Sequence, residues 1–410
     1  MGNNIIKISS LVISNFFLIV LINRLFILVG IDLRILQFMS LTFLLGGLCC
    51  INRIKISGFD VVIIIYIFYM ILNGLFIEYT FKGEFLYRAL LSHVFPIMCY
   101  FIGRQNQIDV KCILNKMKWP LLFAMICGIV FFFFPPSWYF QMKELQLRDN
   151  SNEMGIAEVF RLSSFWPHPY ELAYATLLYS LFITYRIILF IENRFQRLIS
   201  YLILVICITV LFLSQLRVTI LIYSLSVIYM SIYAQKEDVK NKIKNIIFIS
   251  LFGLIFVTIF SQLASDNIDY ITEHMLNMFE ENSMSDRFEH TAGGINSYTF
   301  WGDGLGRYGY PAREHGKWAI VDHEYQCHLA ELGYIGITIL LFIILVSLLK
   351  CLRNIECVLE NSLLAFFIIA MLGASVLSNS HQYNYIFWYT LGIVWSNNKK
   401  HTTKNENSTY

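Results

Sequence analysis

Long apolar runs with almost no charge govern what this chain can fold into. The run "ITILLFIILVSLL", over 337–349, holds no charged residue at all. In lipid, only helices and closed barrels satisfy every backbone N–H and C=O internally. A run of about 20 apolar residues matches a helix crossing a bilayer, whereas a barrel strand needs only about 9–11. Twelve such stretches follow one another, at roughly 6–23, 32–51, 59–78, 85–103, 118–134, 169–190, 198–214, 217–234, 245–264, 327–349, 361–378 and 382–396. The whole chain of 410 residues is 57% hydrophobic and 14% charged, against about 25% charged in a soluble domain. No soluble core hides that much apolar surface. The pattern predicts an all-α polytopic membrane protein with about 12 transmembrane helices and no separate soluble domain.

Charge supplies the sidedness. Cytoplasmic connectors carry the excess of Lys and Arg. With both termini placed inside, every inner connector is basic: Arg53 and Lys55; Arg104, Lys111, Lys116 and Lys118; Arg186, Arg194 and Arg197; Lys236 to Lys244; Lys350 and Arg353; Lys399 to Lys404. A missed or extra span would reverse the pattern midway. Only "SQLR" separates 198–214 from 217–234, and its polar residues point to a tight turn rather than one long helix. Two large loops then fall outside, at about 135–168 and 265–326. The first apolar run has one lysine, Lys7, and no small-residue cleavage site, so it is expected to remain attached as a membrane helix.

Other classes fall away. A net charge of +3 is too small to imply nucleic acid. Eight of the nine cysteines lie in apolar runs or basic connectors and Cys327 near a polar stretch with no obvious partner, so no disulfide framework is read and free thiols are expected. A transporter or flippase needs polar groups at mid-membrane. Here the mid-span charges are few, namely Arg34 and Arg88, and polarity gathers in the outer loops.

The first outer loop opens with "FFFFPPSW", whose prolines stop the preceding helix. It closes with "RLSSFWPHPYELA", which brings Arg161 before an aromatic pair and His168 between two prolines. These residues either face a ligand or form an aromatic belt at the membrane surface. Arg217, in "LSQLRVTIL", has no acidic neighbour in sequence. A guanidinium placed so grips phosphate through two parallel hydrogen bonds, or else reaches lipid headgroups. The second outer loop contains "NIDYITEHMLNMFEENSM", with apolar residues at helical spacing over 268–279, as in a helix lying on the membrane surface. "DRFEHTAGGINSYTFWGDGLGRYGYPAREHGKW" follows. Its glycines promise tight turns with exposed N–H groups able to cradle an anion, and Arg287, Arg307 and Arg313 add positive charge.

The loop ends in "VDHEYQCHLAELGYIGI" (321–337). Asp322 can cap the coming helix. Glu324 and His328 share a helix face at a spacing of four, and His328 and Glu331 at three. Arginines facing the same side as this Asp–His–Glu group suit a reaction with a phosphate leaving group: cations offset developing negative charge, and a carboxylate or imidazole takes a proton from an attacking hydroxyl. A polar first turn in the headgroup zone is the plainer alternative.

In that order, "RLSSFWPHPYELA", "LSQLR" and "DRFEH…WGDGLGRYG…DHEYQCHLAELGYIGI" resemble the motifs of the bacterial O-antigen polymerase and O-antigen ligase superfamily. The resemblance covers Arg161 to about Ile337 in motifs and the whole chain in topology. It implies a GT-C-like membrane glycosyltransferase of the inner membrane, with its site facing the periplasm. The donor it implies is an oligosaccharide on undecaprenyl diphosphate, and its partners a chain-length regulator and a flippase. No nucleotide sugar, cofactor or dedicated metal is implied. Carried over, Arg161, Arg217 and Arg287 correspond to the residues that bind the diphosphate. Asp322 and His323 stand as the catalytic pair, and His168, Arg307, Arg313 and His328 as further substrate-binding candidates. The ligase pattern places a histidine eleven residues before the Gly that is Gly333 here, where this chain has Asp322. Either Asp322 replaces that histidine or His323 does its work one residue later. The departure leans towards a polymerase.

Overall fold

A computed structural model describes residues 15–27, 56–76, 89–105, 109–139, 162–166, 169–189, 193–214, 216–233, 247, 299–308, 323–352, 357–373 and 381–396. Helix makes up 86% of them, and no strand occurs among them. The helices are α1 (Phe16–Ile27), α2 (Gly58–Phe76), α3 (Phe95–Arg104), α4 (Val110–Phe133), α5 (Pro169–Leu189), α6 (Arg194–Leu213), α7 (Arg217–Tyr233), α8 (Glu324–Leu352), α9 (Val358–Gly373) and α10 (His381–Val394). A π-helical turn, Leu90–Val94, leads into α3. The predicted stretches 32–51 and 245–264, and the surface helix over 268–279, lie outside the described residues.

Among the described residues, four helices are long and apolar enough to cross a membrane: Gly58–Leu75, Val110–Phe133, Arg194–Leu213 and Glu324–Cys351. Val218–Met230 and Val358–Leu372 are apolar but shorter. Their outward faces carry rows of exposed apolar side chains at helical spacing. Examples are Val61, Ile64, Ile65 and Phe68 on α2, Phe123, Ile126 and Val130 on α4, and Leu341, Phe342, Leu345 and Leu349 on α8. Water does not tolerate contiguous surfaces of this kind, whereas lipid does. The "SQLR" stretch separates two helices, α6 and α7, as its polar residues predict.

α5 lies at the centre, with nearly every side chain from Leu172 to Ile188 buried. The closest helix pair is α3 with α10. A Cβ on Gly103 would lie 2.3 Å from the Tyr389 carbonyl oxygen, and one on Gly392 would lie 2.1 Å from that of Tyr100. Only hydrogen fits between these backbones, which is how small residues tighten helix pairs in membranes.

The helix ends gather in two sets. At one end, Arg104 Nη2 sits 2.9 Å from Asp60 Oδ2, Tyr100 Oη donates to Asp60 Oδ1 at 2.6 Å, and Arg104 also donates to the Trp395 carbonyl. Nearby Asn361 donates to both the Cys351 carbonyl and Tyr229 Oη at 3.0 Å. At the other end, Asn73 meets residues 301–305, Leu162 N–H donates to the Leu213 carbonyl at 3.1 Å, and Tyr383 donates to the Glu171 carbonyl. Every helix end in a set is one that the charge alternation assigns to a single side. Phe165 and Trp166 belong to the second set but are buried among other rings, Phe123, Phe131 and Phe17, rather than forming a surface belt. The described cysteines are free thiols, as expected.

Candidate functional site

The site is built where α8 breaks. Gly333 has φ 65° and ψ −168° inside an otherwise continuous helix, a conformation essentially confined to glycine. The break divides α8 into a short arm, 324–332, and the long apolar arm that follows. It also strips helical partners from the carbonyls just before it. Those carbonyls are satisfied from elsewhere: Asp303 N–H donates to Ala330 O at 2.9 Å, Gly304 N–H to Glu331 O at 3.0 Å, and Tyr69 Oη to Leu332 O at 2.7 Å.

The segment "FWGDGLGRY" (300–308) is thus docked backbone to backbone on the break. Gly302 has φ 80°, and a Cβ there would lie 2.2 Å from Glu331 O. Asn73 clamps the segment from α2, donating to Trp301 O at 2.7 Å and accepting from Leu305 N–H at 2.8 Å. Tyr308 N–H donates to Glu331 Oε1 at 2.9 Å, and Tyr308 Oη to Asp303 Oδ2 at 2.5 Å. Burial, and then that bond to Asp303, push the Tyr308 hydroxyl up to about 12, so it stays a donor. Among the described residues, 299–308, most of the glycine-rich segment's N–H groups are therefore not open to an anion. The N–H groups of Asp303, Gly304, Leu305, Arg307 and Tyr308 all donate within the protein.

Behind the docked segment lies a buried polar cluster. Glu324, His328 and Glu331 project from the short arm of α8, and His93 comes from the π-turn ahead of α3. Their exposures are 0%, 5%, 1% and 3%. His328 Nδ1 lies 3.1 Å from the Glu324 carbonyl and 3.2 Å from Glu324 Oε1. A carbonyl only accepts, so Nδ1 carries the hydrogen and the lone pair of the neutral ring is on Nε2. The rings of His93 and His328 meet edge to face at 5.8 Å. His93 Nε2 makes no hydrogen bond with the described residues, and Glu331 Oε2 is 4.0 Å away. Phenol-bearing Tyr66 is buried beside these carboxylates.

His323 plays a local part. Its Nδ1 accepts the Gln326 N–H at 3.2 Å, and its carbonyl accepts the Cys327 N–H at 3.0 Å, so the imidazole caps α8. Sequence alone offered Asp322 for that cap. With Nδ1 accepting, the neutral ring carries its hydrogen on Nε2. Burial lowers the His323 pKa below its usual range, with the Glu324 carboxylate opposing.

Of the residues singled out in sequence, His328 lies in the cluster, and His323 caps the same helix. Arg307 is held within its own segment, Nη1 donating to Asp303 O at 3.3 Å with the guanidinium 5.7 Å from the Tyr308 ring. Asp322, Arg161, Arg287, Arg313 and His168 lie outside the described residues. For Arg217 the backbone opens α7, while its side chain is not among those described. Sequence reading missed His93, Asn73 and Tyr66. The signal for His93 was present: a histidine inside the apolar run "LLSHVFPIM", where an ionisable residue is costly.

Among the described residues, the fold and this site are all-helical, with four helices fit to cross a membrane and a buried His–Glu cluster under a docked glycine-rich segment. No protein-family model matches the chain, and no curated protein matches it.

Proposed function

We propose that the chain is a bacterial inner-membrane glycosyltransferase of the O-antigen polymerase kind, with about twelve crossings, a GT-C-like arrangement, cytoplasmic termini and a periplasmic site. The carrying observation is the Leu162–Leu213 hydrogen bond. It joins the residue after Arg161 to the turn leading into Arg217, at the same end of the bundle as α8's short arm. The segments that carry Arg161 and Arg217 are thus tied together, which supports the reading. α7 ends at the opposite end from residues 299–308, which is what a return crossing over 245–264 requires.

In the proposed reaction Arg161, Arg217 and Arg287 hold the diphosphate of an undecaprenyl-linked glycan. The acceptor hydroxyl oxygen bonds to the anomeric carbon with inversion as the bond to diphosphate breaks. The leaving diphosphate takes the electron pair, and the guanidinium groups offset its charge. Asp322 receives the hydroxyl proton, because the Nδ1 lone pair of His323 is engaged in the helix cap.

Deleting the gene and running lipopolysaccharide on a gel tests this. The expected result is core bearing a single repeat. Bare core, with glycan stranded on undecaprenyl diphosphate, assigns the protein as the ligase instead. An unchanged ladder with loss of a capsule or exopolysaccharide assigns it to that polymer.

One observation favours a second reading, a transporter or flippase. Transporters use discontinuous helices around mid-membrane sites, and α8 is broken. The break, however, leaves its carbonyls satisfied by Asp303, Gly304 and Tyr69 rather than open to an ion. Transport of lipid-linked repeat by purified protein, without chain growth, would establish the second reading over the first.

A further inference from the structure

His93, Glu324 and His328 come from two separate helical segments, yet each offers a ligand atom within 4.8 Å of the other two. All three are buried. The reaction steps proposed above assign none of them a role, although the resemblance offers His328 as a substrate-binding candidate.

The placement is specific. Glu324 and His328 are one turn apart and share a face of the short arm. The π-turn Leu90–Val94 swings His93 towards them; single π-turns are frequent at functional sites. That turn is pinned by Asn384, whose Nδ2 donates to the Ser92 carbonyl at 2.8 Å. His93 Nε2 is buried and makes no hydrogen bond with the described residues, an arrangement that costs free energy unless a ligand takes the lone pair. His328 Nδ1 faces the Glu324 carboxylate at 3.2 Å, so an ion held between the two takes the place of the Nδ1 proton.

We propose that His93, His328 and Glu324 bind a divalent transition-metal ion of the zinc type, with Glu331 as the outer carboxylate. Two imidazoles select against magnesium and calcium, which take oxygen donors. Tetrahedral bonds of about 2.0–2.2 Å hold ligand atoms about 3.3–3.6 Å apart, so pairs now up to 4.8 Å apart close by at most about 1.5 Å, shared between two side chains. Glu324 and Glu331 together balance the charge of a dication in a place water does not reach. Glu331 also accepts the Tyr308 N–H, so the ion's surroundings extend to the docked segment. The resemblance implied no dedicated metal; this site departs from it and does not rest on it.

The test needs no activity. Full-length protein in detergent is stripped with a chelator and titrated with Co²⁺ as a spectroscopic probe. One ion per chain, with the visible bands of low coordination number and displacement by Zn²⁺, is expected. His93→Gln and Glu324→Gln should each weaken binding beyond the ~10–100-fold that loss of an outer partner costs, and Cys351→Ser at the far end should not. Absence of saturable Co²⁺ absorption, or unchanged binding in His93→Gln, overturns the proposal. X-ray absorption of the zinc-loaded wild type guards against variants that misfold. A nitrogen and oxygen shell with two imidazoles supports the site, and a shell without imidazole overturns it.

Discussion

Replacing Gly333 with alanine should unseat the docked segment. The native φ of 65° at ψ −168° costs a side-chain-bearing residue about 1–3 kcal/mol. The new Cβ would also lie 2.3 Å from Gly302 N, 2.4 Å from Phe300 O and 2.6 Å from Trp301 C. These are backbone atoms, which cannot rotate aside, so residues 300–304 must lift. Lifting forfeits the bonds from Asp303 N–H to Ala330 O, Gly304 N–H to Glu331 O and Ile335 N–H to Phe300 O, each worth about 0.5–1.5 kcal/mol net. If strain and lifting partly relieve one another, the docked state loses about 3 kcal/mol, a shift of over 100-fold in the opening equilibrium. Cys327 reports it, being fully buried with Ala330 under Tyr308. In a chain whose other cysteines are replaced, maleimide labelling of Cys327 should accelerate by about that factor. Gly58→Ala, where nothing lies within 4 Å of the added Cβ, should leave the rate alone. Wild-type labelling of Cys327 in Gly333→Ala would refute the reasoning, because the glycine would then be dispensable to docking.

Asn73→Ala removes both side-chain bonds to the segment and should speed the same labelling by about 10-fold, for a loss near 1.5 kcal/mol. At the opposite end, Asp60→Asn leaves the buried Arg104 guanidinium without its carboxylate; a loss of about 3–5 kcal/mol is expected in denaturant unfolding. His323 is depressed in the fold relative to its ordinary value of 6.5, so the unfolded chain binds more protons just below that pH. Its contribution to stability is full above 6.5 and falls as the pH drops towards the folded value; His323→Asn, which keeps a capping side chain, should flatten that part of a stability–pH profile. Arg217→Ala, Arg287→Ala and Asp322→Ala should each abolish polymer with protein levels unchanged, and full-length polymer from Arg217→Ala cells would remove that residue from the diphosphate site.

What sequence revealed follows from which interactions are local. The apolar stretches declared the helices, and "SQLR" declared a turn, because hydropathy and chain reversal need no distant partner. "ELGYIG" marked the start of a span, yet the break at Gly333 stayed hidden, since a lone glycine within a helical pattern does not disclose its φ. The exposed N–H groups inferred from "GDGLG" are taken by carbonyls of α8 and by Asn73, partners that spacing along the chain does not disclose. His93 escaped for the same reason. Alone in its run it has no neighbour to make a pattern, and only the fold brings it to Glu324, His328 and Glu331.

The clamp of Asn73 on Trp301 and Leu305 joins residues 228 and 232 positions apart, and Asn384 reaches Ser92 across 292. Synthesis runs from the N-terminus, so α2 and the π-turn exist long before the groups that complete them. Until the last quarter of the chain emerges, Asn73, Ser92 and His93 must wait with their polar atoms unmatched by final partners. Truncation anywhere before α10 therefore leaves no smaller working unit. The ribosome has to finish nearly the whole polypeptide before this end of the bundle can close.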